Sequence, residues 1–180
     1  SKTRPATLLT QLNLLENGDF SAKTNPWQVL DNANGVGIGI DINADWTLAD
    51  GHTGFIETNR ATKKAQVRYT DPIFNSSLPI IGGKSYLFSG KFASHRCQGE
   101  VTVSIFDENG KVLSKHAELI TGKHVGGLQI NGYQSIDIPI KMPLSASSAS
   151  FTIELTSHNP DPRAPDASAV IFFTHLFVRN

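Results

Sequence analysis

Arg68, Tyr133, Asp137 and Glu154 are side chains whose chemistry could act together. A guanidinium and two carboxylates offer paired donors and acceptors to hydroxyl groups, and a tyrosine ring offers a flat plate to C–H faces. The set suits a sugar ring if all four share one surface. Asp45, Trp46 and His52 form a second group in a polar stretch. There Trp46 either stacks on a sugar ring or anchors its loop over an edge of the fold, since tryptophan is usually largely buried. A third group is Ser94-His95-Arg96-Cys97-Gln98-Gly99, expected to be a loop between two strands. Arg96 either contacts an acidic sugar there or pairs with a nearby carboxylate.

Several other chemistries lack the residues they need. A Cys97–His nucleophile requires a positioned second base and an oxyanion site, and nothing in the chain marks them. His52, His95, His116, His124, His158 and His175 show no i, i+4 or clustered spacing, so no zinc site is expected. Asp41-Ile-Asn43-Ala-Asp45 matches the first half of a calcium loop, but Trp46 stands where that loop needs glycine and His52 where it needs glutamate. Gly35-Val-Gly37-Ile-Gly39 has the wrong spacing for a phosphate loop, and no helical pattern follows it. No pair of carboxyls is singled out for glycoside hydrolysis. No catalytic residue and no metal ligand is therefore assigned.

The elements that would position these groups are strands. Val36, Ile38, Ile40 and Ile42 recur at period two, as do Val101, Val103 and Ile105, Ile136, Ile138 and Ile140, and Phe151, Ile153 and Leu155. Turn signals separate the runs: Asn75-Ser76-Ser77, Gly82-Gly83, Gln98-Gly99, Gly126-Gly127, Asn131-Gly132 and the loop 157–166. Asn109-Gly110 between two apolar runs predicts a hairpin in which both residues take positive φ. With no long helical pattern, the chain is expected to be all-β, a two-sheet antiparallel β-sandwich of the jelly-roll kind, forming a single domain over 1–180. Extending the alternation puts Gln66, Arg68, Thr70, Ser89, Lys91, Thr102, Ser104, Tyr133, Ser135, Asp137, Thr152, Glu154 and Thr156 on one polar face. That face is either a binding groove or a plain solvated surface.

Charge narrows the partner. Sixteen Lys and Arg balance 16 Asp and Glu among 180 residues, so neither nucleic acid nor an anionic membrane is implied. Cys97 is the one cysteine, which excludes an internal disulfide. No apolar run approaches the roughly 18 residues of a membrane span, and Ser-Lys-Thr-Arg-Pro at the start lacks a signal-peptide core.

The stretch Asn13-Leu14-Leu15-Glu16-Asn17-Gly18-Asp19-Phe20, followed by Trp27, is expected to be an opening strand with Leu12, Leu14 and Leu15, a tight turn and a structural tryptophan. Together with Ile80-Ile-Gly-Gly-Lys-Ser-Tyr-Leu-Phe-Ser89, the hairpin 103–113 and the segments 133–143 and 170–178, it resembles carbohydrate-binding modules of the galactose-binding-like, jelly-roll type. The resemblance implies a lectin-like, non-catalytic module that attaches a larger protein or enzyme to a polysaccharide or glycan, in an extracellular or cell-surface setting. The candidate ligand-binding residues, taken from the residue groups above, are Trp46, His52, Arg68, Arg96, Tyr133, Asp137 and Glu154. Many such modules carry a structural calcium on a C-terminal Asp, but this chain has Phe173-Thr174-His175-Leu176 there, so no cofactor is expected. That missing Asp and the 8% aromatic content favour an alternative, a structural or self-assembly sandwich that has lost sugar binding.

Overall fold

Among the described residues the alternating runs form strands. The computed structural model describes residues 13–15, 18, 27–29, 37–41, 53–58, 64–70, 77–123, 132–159 and 161–180. Trp46 and His52 lie outside the described residues. The strands are β1 (Trp27–Val29), β2 (Gly37–Asp41), β3 (Thr53–Thr58), β4 (Ala65–Tyr69), β5 (Leu78–Pro79), β6 (Ser85–His95), β7 (Cys97–Asp107), β8 (Val112–Ile120), β9 (Gln134–Lys141), β10 (Ala146–His158) and β11 (Ala169–Arg179). They build two antiparallel sheets: a first in the order β1-β4-β10-β7-β8, with β5 also on β10, and a second in the order β2-β3-β11-β6-β9. The two-sheet sandwich expected from the alternation is the observed architecture. Among the described residues no helix is long and apolar enough to cross a membrane.

Period two places every other side chain on the inner face of its sheet. Val67, Val101, Val103, Ile105, Ile153 and Leu155 from the first sheet meet Ile56, Phe88, Phe92, Ile171, Phe173 and Val178 from the second, and none is more than 1% exposed. Each such burial contributes roughly 1.5–3 kcal/mol. Trp27 enters the same core from β1, edge-on to Tyr69 (centroids 5.3 Å apart) and to Phe151 (5.8 Å). Its structural assignment from the sequence agrees with this packing.

Three local expectations need correction. The opening segment is not a strand over 13–15; it is tied to β11 largely through one side chain. Asn13 Nδ2 donates to the Leu176 carbonyl at 2.9 Å, and Asn13 Oδ1 accepts from the amides of Leu15 and Val178, each at 3.0 Å. The Leu14 amide donates to the Val178 carbonyl, and the Leu176 amide to that of Gly18. An asparagine side chain thus does what a strand ladder would do. The β7–β8 hairpin forms as expected, but only Gly110 takes positive φ, at 80°. Asp107 Oδ1 accepts from the amides of Asn109 and Lys111, at 2.9 Å each, and so widens the loop to three residues.

The third correction concerns 94–99, which is no loop: β6 runs to His95 and β7 begins at Cys97. Arg96 alone carries the chain from the second sheet to the first, at φ 57°, and its carbonyl accepts from the Asn159 amide at 2.8 Å. Gln98-Gly99, read as a turn, lies within β7. A register shift between Thr174 and Phe177 places a bulge on β11 at His175, which has φ 51°.

Candidate functional site

The neighbours β3, β11 and β6 set their outward residues in rows across the second sheet. Glu57 pairs with Val170 and Val170 with His95; one step along, Phe55 pairs with Phe172 and Phe172 with Ala93. Phe55 and Phe172 lie with ring centroids 6.4 Å apart and planes tilted by 54°. Beside them, at the β6–β7 corner, stands Arg96. Phe55, Glu57, His95, Arg96, Val170, Phe172 and Ser168 line a cavity of about 230 Å³. Its floor is Val170 and Phe55, with Phe172, only 4% exposed, adding little open surface, and its rim is charged or polar. The volume is below the 300 to 1,000 Å³ typical of drug-sized ligands, so the trough suits one ring rather than a folded chain.

The rim is polarised. Glu57 and His95 are separated by two interstrand spacings, roughly 10 Å between backbones. The Arg96 guanidinium adjoins the His95 end and donates from NH1 to the Ser168 carbonyl at 3.4 Å. This carbonyl, not a carboxylate, is the contact found for Arg96 among the described residues. An apolar aromatic floor and a rim of opposed charges can hold a ring that has both C–H faces and hydroxyls.

Cys97, next in sequence, is held as a buried thiol. Its thiol donates to the Val170 carbonyl at 3.4 Å, and burial pushes its pKa up to about 11, against weaker lowering by hydrogen bonds and Lys123. The thiol therefore stays protonated at neutral pH.

Of the sequence-predicted residues, Arg96 is in the trough. The single polar face does not exist, because the residues divide between opposite outer faces. Gln66, Arg68, Thr102, Ser104, Thr152 and Glu154 lie on the first sheet, where Arg68 pairs with Thr152 and Thr152 with Thr102. Ser89, Lys91, Ser135 and Asp137 lie on the second, on β6 and β9. Alternation tells inside from outside for each strand but not which sheet the strand joins. Asp137 accepts from Ser89 Oγ at 2.5 Å, away from the trough at the β9 edge. Tyr133 stands just ahead of β9, beside Gln134, which pairs with Phe92. Phe55, Glu57, Ser168, Val170 and Phe172 were not singled out from the sequence. Their signal was two phenylalanines at outward positions of their strands, and only the β3-β11-β6 adjacency joins them.

On the first sheet Glu154 sits directly opposite Glu100. Burial, then the hydrogen bond and charge of Glu100, push the Glu154 carboxyl above its ordinary value of 4.5, while Lys115 pulls it back. A raised folded pKa means that the stabilising effect of protonation is fully present below the unfolded value and is lost as pH rises through the folded one. At about pH 7 this pair is therefore a cost. Glu154→Gln is expected to gain about 0.5 kcal/mol, or roughly 1–2 °C in melting temperature, the size of a like-charge cross-strand pair in solvent. The gain should shrink as pH falls towards 4.5. Thermal melts of both proteins across that range check it.

No protein-family profile matches this chain, and no curated protein does either. Solved structures do. The enzymatically active domain of bacteriophage CBA120 tailspike protein 4 superposes with a TM-score of 0.66 at 12% identity, over 92% of this chain and 21% of the tailspike chain. The TmCBM61 module, solved in complex with beta-1,4-galactotriose, superposes with 0.54 at 10% identity, over 94% of this chain and 99% of the module. The fold is that of the jelly-roll carbohydrate-binding modules. A third match, with 0.58 at 15% identity, is the CBM22-1-GH10 portion of Clostridium thermocellum xylanase 10B, complexed with xylohexaose; it covers 95% of this chain and 29% of that two-module chain. The chain thus spans under a third of the tailspike and xylanase chains that it matches.

At the place where the module resemblance would put a calcium-binding carboxylate, this chain carries none. Thr174 and His175 occupy the place of the carboxylates, and His175 is the bulge residue in the left-handed region. Among the described residues no three His, Cys, Asp or Glu side chains cluster as metal ligands would.

Proposed function

We propose that this chain is a non-catalytic carbohydrate-binding module and that one ring of a polysaccharide or glycan lies in the trough over Val170 and Phe55, beside the largely buried Phe172. The observation that carries this reading is the trough itself, an aromatic floor with Glu57, His95 and Arg96 around it on the outer face of a jelly roll. The modules with the same fold support it, one of them holding beta-1,4-galactotriose. The module serves to attach a longer protein to its glycan. That part draws on the tailspike and the xylanase, where the matching region is a fraction of a longer chain.

A glycan-array screen in calcium and in chelator tests the reading. Saturable binding to one glycan family is expected, equal in both buffers. Phe55→Ala should weaken it about tenfold, equivalent to roughly 1.4 kcal/mol of lost stacking and burial. Silence across a broad array would overturn the proposal and leave the structural or self-assembly alternative.

A further inference from the structure

Arg96 occupies a backbone position that penalises it. At φ 57° an arginine carries the steric cost of the left-handed region, which glycine would avoid. Yet the corner holds an arginine, and its guanidinium lines the trough. Strain of this kind, held in place by the Asn159 amide on the Arg96 carbonyl, points to a use for the side chain. The guanidinium is not spent on a buried ion pair among the described residues. NH1 meets the Ser168 carbonyl at 3.4 Å. Asp161, whose carboxyl feels Arg96 only weakly, is held below the usual carboxylate range mainly by the backbone amide and side chain of Arg163.

We infer that the trough is built for an acidic sugar, with the anionic group on Arg96 beside His95 and the hydroxyls reaching across Val170 to Glu57. The inference rests on the carbohydrate reading and adds the ligand class. The guanidinium fork matches the two oxygens of a carboxylate or sulfate, which a neutral hydroxyl cannot fill. Glu57 opposes the anion less than Arg96 attracts it. It lies roughly 10 Å from the cationic end, about one screening length in physiological salt, whereas Arg96 makes contact. One end of the trough therefore takes an anion while the other accepts hydroxyl hydrogens, and this orients the ring.

The test compares uronate-, sialate- and sulfate-bearing glycans on an array with their carboxyl-reduced or desulfated counterparts, followed by titration calorimetry of the best pair. The acidic member is expected to bind at least about tenfold more tightly, with affinity falling as salt rises. Equal or tighter binding of the neutral member would overturn the acidic-sugar inference and leave the carbohydrate reading standing. Silence towards both would overturn the two together. Arg96→Gly tests the residue while relieving the backbone, so the fold should be retained. It should cost the acidic ligand about tenfold and the neutral one less than about twofold, with Arg96→Lys in between. An equal loss for both ligands would show that Arg96 shapes the trough without reading charge. Uronate and sulfate arms that differ on the array name the anion.

Discussion

Trp27→Ala is expected to lower the unfolding free energy by about 4 kcal/mol and the melting temperature by roughly 10 °C, the upper range for removing a large aromatic from a core. Trp27 is 3% exposed and packs edge-on against Tyr69 and Phe151, with Phe173 at 6.3 Å. Those rings come from β4, β10 and β11, so one tryptophan joins the inner faces of both sheets. β1 has only three residues, and its one sheet neighbour is β4. Loss of the ring should therefore release the strand as well as open a cavity. Urea unfolding measures the effect. A loss under about 1 kcal/mol would show that the ring is a dispensable edge cover. Glycan affinity at low temperature should not change, because the trough lies on the outer face of the second sheet.

The second large effect is expected at Gly18. A Cβ there would overlap the backbone carbonyl oxygen of Leu176 and crowd Asn13 Nδ2. The first obstacle is backbone, and the second is a side-chain end already held by its hydrogen bond to the Leu176 carbonyl. Gly18→Ala should force the opening segment away from β11 and cost about 3 kcal/mol. Its readout is specific: the amides of Leu14 and Leu176, hydrogen-bonded to Val178 and Gly18, should lose protection from hydrogen exchange before the core does. Gly110→Ala is the contrast. At φ 80° it carries only the left-handed backbone cost, about 1 kcal/mol, since nothing lies within 4 Å of the added carbon. Similar losses at the two sites would show that the opening segment yields to the intrusion.

The opening motif shows how far a local pattern carries. Gly18 and Trp27 are visible in the sequence as turn and anchor residues, whereas Asn13 reads only as part of an opening strand; all three are structural here. Trp27 packs against rings of β4, β10 and β11. Gly18 and Asn13 meet β11, and Asn13 reaches Leu176 and Val178 at separations of 163 and 165. Arg96 was legible as a polar residue between two strands. Its left-handed corner was not, because a single-residue passage between sheets leaves no turn signature of glycine or asparagine.

The sequence by itself determined that this is an all-β sandwich and which side chains point into it. Period-two burial depends only on each strand's own alternation, so Val101, Val103 and Ile105 declare their face without knowing their neighbours. Only the tertiary structure decided which outward residues meet. Arg68 and Glu154 went to one outer face and Asp137 to the other, while Phe55, Val170 and Phe172 came together beside Arg96. The physical reason is the strand order β2-β3-β11-β6-β9. Through β11 it joins Val170 to both Glu57 and His95, distant in the chain, by backbone pairing and shared core packing, and neither leaves a mark in the local pattern of the strands that it joins.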